Sequence, residues 1–258
     1  MTVKPVKPIL RWQGSKTRLL KQIMPLIKPH VCYCEPFFGG GAVLFAKERS
    51  STEVINDING NLVALYRNLQ FHLPALLGEL DWLFASRQNL KDFIAQPGLT
   101  ELQRAARFPL VNRTSFGGNM NSFGVAKTKG GGVGFDKNHV GDLMAAAKER
   151  LNGVVVENIS YERVFKNYDS KDTQFFIDPP YENATNGGYK GWDQKQLTTF
   201  RHEIEKLSGN WIVTLNDSPF TRELFSDCAQ IPVVTQNRAV NRRTHGKQTF
   251  GELIITKK

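Results

Sequence analysis

The sequence predicts an α/β fold, a mostly parallel sheet with helices on both faces, interrupted once by an inserted lobe. Three observations predict it. Short runs of β-branched and aromatic residues alternate with stretches of helical periodicity, the pattern of parallel strands joined by crossover helices. The alternation stops over residues 70–140 and then resumes. Two of the strand candidates run directly into loop motifs, one built on glycine and one on proline.

In chain order, Trp12-Gln13-Gly14-Ser15 reads as a turn. Ser15 is placed to cap a helix in which Leu19, Leu20, Ile23 and Ile27 recur at helical spacing, and Pro25 limits or kinks it. Residues 31–35 form a strand candidate, followed by a glycine loop and a helical stretch over 42–48. A second strand over 53–56 ends at Asp57, and a helix with Leu62, Leu65 and Leu69 on one side follows. Strand, helix, strand in that order implies parallel pairing. Residues 70–140 hold short helical pieces and a glycine-rich stretch over 117–134, so the expected division is a main domain of 1–69 and 141–258 with a lobe between. Beyond it, a helix over 142–151 precedes strands over 154–156 and 174–177. Leu197, Phe200, Ile204 and Leu207 mark one more helix, and 211–215, 231–234 and 253–256 are three further strands.

A chain of 258 residues can bury one sizeable core, or one core and a smaller lobe. Apolar residues make up 40%, and no apolar run approaches the roughly 18 residues of a membrane span, which excludes a helical membrane protein. The first twelve residues lack a hydrophobic stretch followed by a cleavage site, so a cytoplasmic location is expected. Three cysteines give no even disulfide set. Cys32 and Cys34 are expected on opposite faces of their strand, and no metal site is expected. The net charge of +10 favours a polyanionic partner, although solubility alone also accounts for excess charge.

Two motifs carry chemistry. In Glu35-Pro36-Phe37-Phe38-Gly39-Gly40-Gly41, glycines between strand and helix let the backbone approach a ligand without Cβ interference, and free amides add donors. A nucleotide-like cofactor fits there, and so does a bare structural turn. Asp57 is placed to accept hydrogen bonds from ribose hydroxyls or, alternatively, to cap the next helix. The glycine spacing departs from the dinucleotide fingerprint, which argues against NAD. The second motif, Asp178-Pro179-Pro180-Tyr181, is the more specific. Successive prolines fix an extended backbone and leave carbonyls free, so Asp178 and the Pro179 carbonyl can each accept one hydrogen of an exocyclic amino group while Tyr181 stacks on the base.

These segments, with Leu10-Arg11-Trp12-Gln13-Gly14-Ser15-Lys16 and Asn56-Asp57-Ile58-Asn59, resemble the Dam-type family of DNA adenine-specific amino-group methyltransferases over most of the chain and in the same order. The resemblance implies a Rossmann-like S-adenosylmethionine-dependent methyltransferase fold with an inserted target-recognition lobe. It implies a cofactor, S-adenosyl-L-methionine, touched by Trp12, Lys16, Phe37, Gly39, Asp57 and Asp178, and a flipped adenine held by Asp178, Pro179 and Tyr181. The chain departs from the family at Gln13 and Ser15, where Ala and Gly are frequent, and at Asn158-Ile159-Ser160-Tyr161, where relatives often carry an acidic residue near the cofactor adenine.

Double-stranded DNA is the implied partner, and methylation of N6 requires extrusion of the nucleotide from the duplex. Arg242, Arg243 and Lys247, beside Arg238, are expected to grip phosphates, unless they form only a solvated basic loop. In the lobe, Arg113, Asn119, Asn121, Lys127 and Lys129 are expected to reach DNA, with Phe116 and Phe123 as possible wedges. Competing functions are an RNA or protein methyltransferase, a DNA cytosine amino-methyltransferase, and a DNA-binding protein whose catalytic fold is retired. Survival of Asp57, Asp178, Tyr181 and the glycines favours an active enzyme.

Overall fold

The computed structural model describes residues 5–125, 134–182, 191–236 and 249–258. Its seven strands are β1 (Cys32–Glu35), β2 (Thr52–Asn56), β3 (Val155–Glu157), β4 (Thr173–Ile177), β5 (Asn210–Asn216), β6 (Ala229–Gln236) and β7 (Thr249–Thr256), and they form one sheet in the order β3-β2-β1-β4-β5-β7-β6. The pairs β2–β3, β1–β2, β1–β4 and β4–β5 are parallel, and β7 runs antiparallel to β5 and β6. The helices are α1 (Leu20–Ile23), α2 (Gly60–Phe71), α3 (Leu73–Asp81), α4 (Arg87–Ala95), α5 (Glu101–Thr114), α6 (Lys137–Leu151), α7 (Tyr161–Tyr168), α8 (Gln194–Glu205) and α9 (Pro219–Leu224).

Side chains alternate across the sheet, and each face meets its own helices. Tyr33, Ile55, Phe176, Ile212 and Ile254 pack on one side with Leu62, Leu65 and Leu69 of α2 and Met144 and Leu151 of α6. Cys34, Val54, Phe175, Ile177 and Val213 pack on the other with Val164 and Phe165 of α7 and Leu197, Phe200 and Ile204 of α8. Coverage on both faces explains why every residue of β4 is buried, its polar Thr173 and Gln174 included. The segment between α2 and α6 joins the first of these clusters through Leu76, Leu80, Ala105, Ala106 and Phe108.

Local structure departs from the sequence reading at four places. The helix expected after Ser15 is a 3-10 turn (Lys16–Arg18), α1 and a second 3-10 turn (Met24–Leu26) that contains Pro25, whose ring denies the chain a regular continuation. Ser15 occupies the cap position, but its hydroxyl pairs with that of Thr17. Residues 42–48 form successive turns instead of a helix, and Lys47 within them turns inward to Glu53. Cys32 and Cys34 lie on the same face of β1, as residues two apart on a strand must.

Beneath the first motif lies a buried ionic cluster. Arg150 of α6 binds Glu53 of β2 through two bonds of 2.5 and 2.8 Å, and Lys47 binds the same carboxylate at 2.6 Å. Burial disfavours the Glu53 charge, but the bonds from Arg150 and Lys47 outweigh it and hold the carboxyl below its ordinary range. The cluster fastens α6, β2 and the turns after the glycine loop to one another. Arg150→Met leaves the buried carboxylate short of its bidentate partner and is expected to lower unfolding free energy by about 3–5 kcal/mol, read from urea denaturation midpoints.

Candidate active site

In an open parallel sheet, ligands bind beyond the carboxyl ends of the strands at the point where the chain reverses its direction of travel across the sheet. Here that point lies between the neighbours β1 and β4, because β2 and β3 lie beyond β1 on one side and β5 beyond β4 on the other. The glycine loop follows β1 and the proline motif follows β4, so both open into one cavity of about 430 Å³. Its lining brings together Trp12, Lys16, Phe37, Gly39, Asp57, Asp178, Pro179 and Tyr181, residues from four separate segments of the sequence.

The glycine loop is shaped by its neighbours. Gly39 and Gly41 have φ of 50° and 69°, in the left-handed region that disfavours side chains. A Cβ on Gly39 would lie 2.5 Å from the Trp12 indole nitrogen, and one on Gly40 would lie 2.7 Å from the Trp12 Cβ. The glycines therefore admit Trp12 against the loop backbone. Asp57 fixes the same loop: its carboxylate accepts the Gly39 amide at 2.9 Å and the Asn59 amide at 2.9 Å. The cap of α2 is Asn59, which accepts from Asn61 and Leu62, so capping is not the work of Asp57. Asn56 completes the frame, donating to the carbonyls of Pro36 and Ile159 and accepting from the Ile159 amide.

On the opposite wall, the Lys16 ammonium is 2.7 Å from Asp178 Oδ2 and 2.5 Å from the Gly14 carbonyl, and it stands 4.9 Å from the centre of the Tyr181 ring. The other Asp178 oxygen accepts a 2.8 Å bond from the Thr214 hydroxyl of β5. Tyr181 donates to Glu252 of β7 at 3.3 Å. Burial, then the negative charges of Asp178 and Glu252, push the Tyr181 phenol well above its ordinary range, so it stays a neutral donor. Burial likewise pushes Glu252 up. Between the two walls, Phe37, Tyr161 and Trp192 form an aromatic side with ring centres 5.5 to 5.6 Å apart.

Several of these residues carried little signal in the sequence. Thr214 and Glu252 sit inside strands that read only as strands. Tyr161 and Trp192 carry no motif. Glu162 lines the cavity directly after the segment 158–161, which itself carries no acidic residue. Among the residues expected to reach DNA, Arg113 is buried: its guanidinium donates to the carbonyls of Ile9 at 2.7 Å and Gly134 at 3.1 Å. It ties the opening segment to the lobe, and contrary to expectation its guanidinium is spent inside the protein and not presented to DNA. Asn119 is partly exposed and spends its side chain on the Asn121 and Ser122 amides, Asn121 is exposed, and Gly118 and Met120 reach the cavity lining. Lys127, Lys129, Arg242, Arg243 and Lys247 lie outside the described residues.

The profile described as D12 class N6 adenine-specific DNA methyltransferase matches residues 12–240. The chain is 26% identical over 275 residues to the type II methyltransferase M1.LlaDCHI of Lactococcus lactis subsp. cremoris, covering 97% of this chain and 95% of that protein. It is 25% identical over 231 residues to the type II methyltransferase M.CviBI of Paramecium bursaria Chlorella virus NC1A, covering 85% and 86%. It is 26% identical over 273 residues to the DNA adenine methylase of Haemophilus influenzae, covering 96% and 92%. Among solved structures, a precorrin-6y C5,15-methyltransferase from Geobacter metallireducens superposes with a TM-score of 0.37 at 11% identity, covering 94% of this chain and 87% of that one.

Glu35, at the end of β1 and in the cavity lining, is fully buried, and burial raises its carboxyl to about 8 even though the Tyr33 hydroxyl, the Leu44 amide, Lys47 and Arg150 all favour its charge. The folded state thus holds a proton that the unfolded chain releases near its ordinary value of 4.5. Stability from this group is complete below that value and is lost as pH rises toward about 8, with a limiting slope of about 1.4 kcal/mol per pH unit. Glu35→Gln should flatten that decline in a pH series of urea midpoints.

Proposed function

The chain belongs to the D12 class of N6 adenine-specific DNA methyltransferases, and from that premise we propose how this cavity serves the reaction. The cofactor is S-adenosyl-L-methionine, bound across the glycine loop, and the substrate is an adenine flipped out of double-stranded DNA. One observation carries the reading: Asp178, at the mouth of β4, faces the same cavity as the glycine loop of β1. The lining suits the cofactor. About 430 Å³ is within the range of small-molecule sites, Asp57 offers a carboxylate for ribose hydroxyls, Lys16 offers an ammonium for a carboxylate, and Phe37, Ile159 and Tyr161 offer apolar surface for a purine.

When bound, the cofactor supplies an electrophilic methyl group on a positively charged sulfur. The protein does the rest by placement. Asp178 and the Pro179 carbonyl each accept one hydrogen of the adenine amino group, which orients the nitrogen and offsets the positive charge that develops on it. Tyr181 stacks on the extruded base and recovers part of the few kcal/mol that unstacking costs. Residues 70–140 serve as the target-recognition lobe in this reading. Its support is that Gly118 and Met120 bring that segment to the cavity. Asn119 and Asn121 are its candidate base contacts, Lys127 and Lys129 its candidate phosphate contacts, and Arg242, Arg243 and Lys247 grip phosphates from the main domain. Among the described residues no helix is long and apolar enough to cross a membrane, and the enzyme works in the cytoplasm on this reading.

Asp178→Ala should abolish methyl transfer while leaving cofactor affinity within roughly tenfold, about 1.4 kcal/mol. Transfer of labelled methyl to DNA and calorimetry of cofactor binding read the two quantities separately, and lost binding with normal turnover per bound enzyme would overturn the assignment. Asp57→Asn should weaken cofactor binding by about 1–3 kcal/mol, the scale of hydrogen bonds to a charged acceptor, with DNA affinity unchanged. Normal cofactor affinity in that variant would leave Asp57 as a loop fastener alone.

A further inference from the structure

We infer that Thr214 is a positioning residue for methyl transfer: its hydroxyl selects the orientation in which Asp178 presents an acceptor to the amino group. The inference rests on the reading of Asp178 as that acceptor. Thr214 lies in β5, fully buried, in a strand whose neighbours Val213 and Leu215 are also buried. A hydroxyl is costly at such a place unless it is bonded. Its hydroxyl donates to Asp178 Oδ1 at 2.8 Å and also interacts with the Tyr181 phenol, so a core position of β5 carries a polar group aimed at the end of β4.

The geometry gives that bond a purpose beyond satisfaction of a buried group. A short carboxylate at the end of a strand can rotate about its side-chain bonds, and two restraints of different kinds fix it here. Lys16 holds Oδ2 at 2.7 Å, but it reaches there on a long flexible chain from a 3-10 turn, and its ammonium also serves the Gly14 carbonyl. Thr214 holds Oδ1 from within the sheet, and its β-branched side chain has few rotamers. The parallel pairing of β4 with β5 pairs Ile177 with Val213, so Asp178 and Thr214 follow on adjacent strands and their separation is set by sheet register. Lys16 supplies charge, and Thr214 supplies direction. Each Asp178 oxygen keeps lone-pair capacity for the substrate amino group, because a carboxylate accepts about four bonds.

A variant that keeps shape and loses the hydroxyl isolates this role. Thr214→Val should lower kcat by about ten- to a hundredfold with KM for DNA and cofactor affinity within about twofold, since the loss falls on alignment. Thr214→Ser, which restores the hydroxyl, should recover most of the rate. A merely structural role would instead lower the thermal midpoint and reduce activity equally in both variants, or leave kcat unchanged in Thr214→Val, and either result overturns the inference. Asp178→Ala run in parallel separates the two claims. If it is inactive while Thr214→Val turns over normally, positioning by Thr214 is wrong and the acceptor reading stands; if Asp178→Ala stays active, the acceptor reading fails and takes the inference with it.

Discussion

The reversal of the chain between β1 and β4 is the constraint on which the site depends. Parallel neighbours whose onward connections run to opposite sides cannot have their loops close over each other, so a crevice is left at their carboxyl ends. Both motifs exploit it. One starts at the last residue of β1, Glu35, and the other at Asp178, directly after Ile177 ends β4, so the sheet's hydrogen bonds set the starting position of each loop. Glycine lets one loop turn back under Trp12, and proline keeps the other extended. Loops whose first residues are fixed by a sheet have less freedom left to lose when a ligand arrives.

The polar groups around the crevice fasten backbone as much as they face the cavity. Asp57, Asn56 and Tyr66 all bind the main chain of the glycine loop or its neighbours, Tyr66 through its hydroxyl to the Gly39 carbonyl at 3.1 Å. Arg113 does the same for the opening segment, joined by Asn112, whose side chain accepts the Arg11 amide at 2.7 Å. This explains how Trp12, which belongs to no regular element, and Lys16, which belongs only to a short 3-10 turn, are held beside the loop they serve.

The parallel core was legible because strand composition and helical spacing are local properties of the chain. So were the two motifs, since glycine and proline impose backbone behaviour wherever they stand. What the sequence left unread depends on pairing. Thr214 looks like any β-branched strand residue until β5 is set beside β4, and Glu252 looks like a solvated strand carboxylate until β7 is set beside β5. Arg113 looked like a DNA contact because composition cannot tell an exposed guanidinium from one buried against carbonyls. The helix α7 has a local signal too, since Tyr161, Val164, Phe165 and Tyr168 recur at helical spacing, although the sequence reading places no helix there. The turns at 42–48 went the other way: apolar residues at helical spacing there pack without a continuous ladder.

Charge is partitioned between the inside and the outside of this protein. The chain as a whole carries +10, yet the cavity lining holds four carboxyl groups, Glu35, Asp57, Glu162 and Asp178, against the single ammonium of Lys16 among the described residues. Burial keeps a proton on Glu35 up to about 8, Lys16 answers Asp178, and the excess that remains inside is negative. A negative interior and a positive exterior suit opposite ligands. A polyanion is drawn to the surface by its phosphates and repelled from the crevice, while a cationic small molecule is favoured within it. Of the DNA, it is a base turned out of the duplex, uncharged and flat, that can enter a site arranged in this way while its phosphates stay outside.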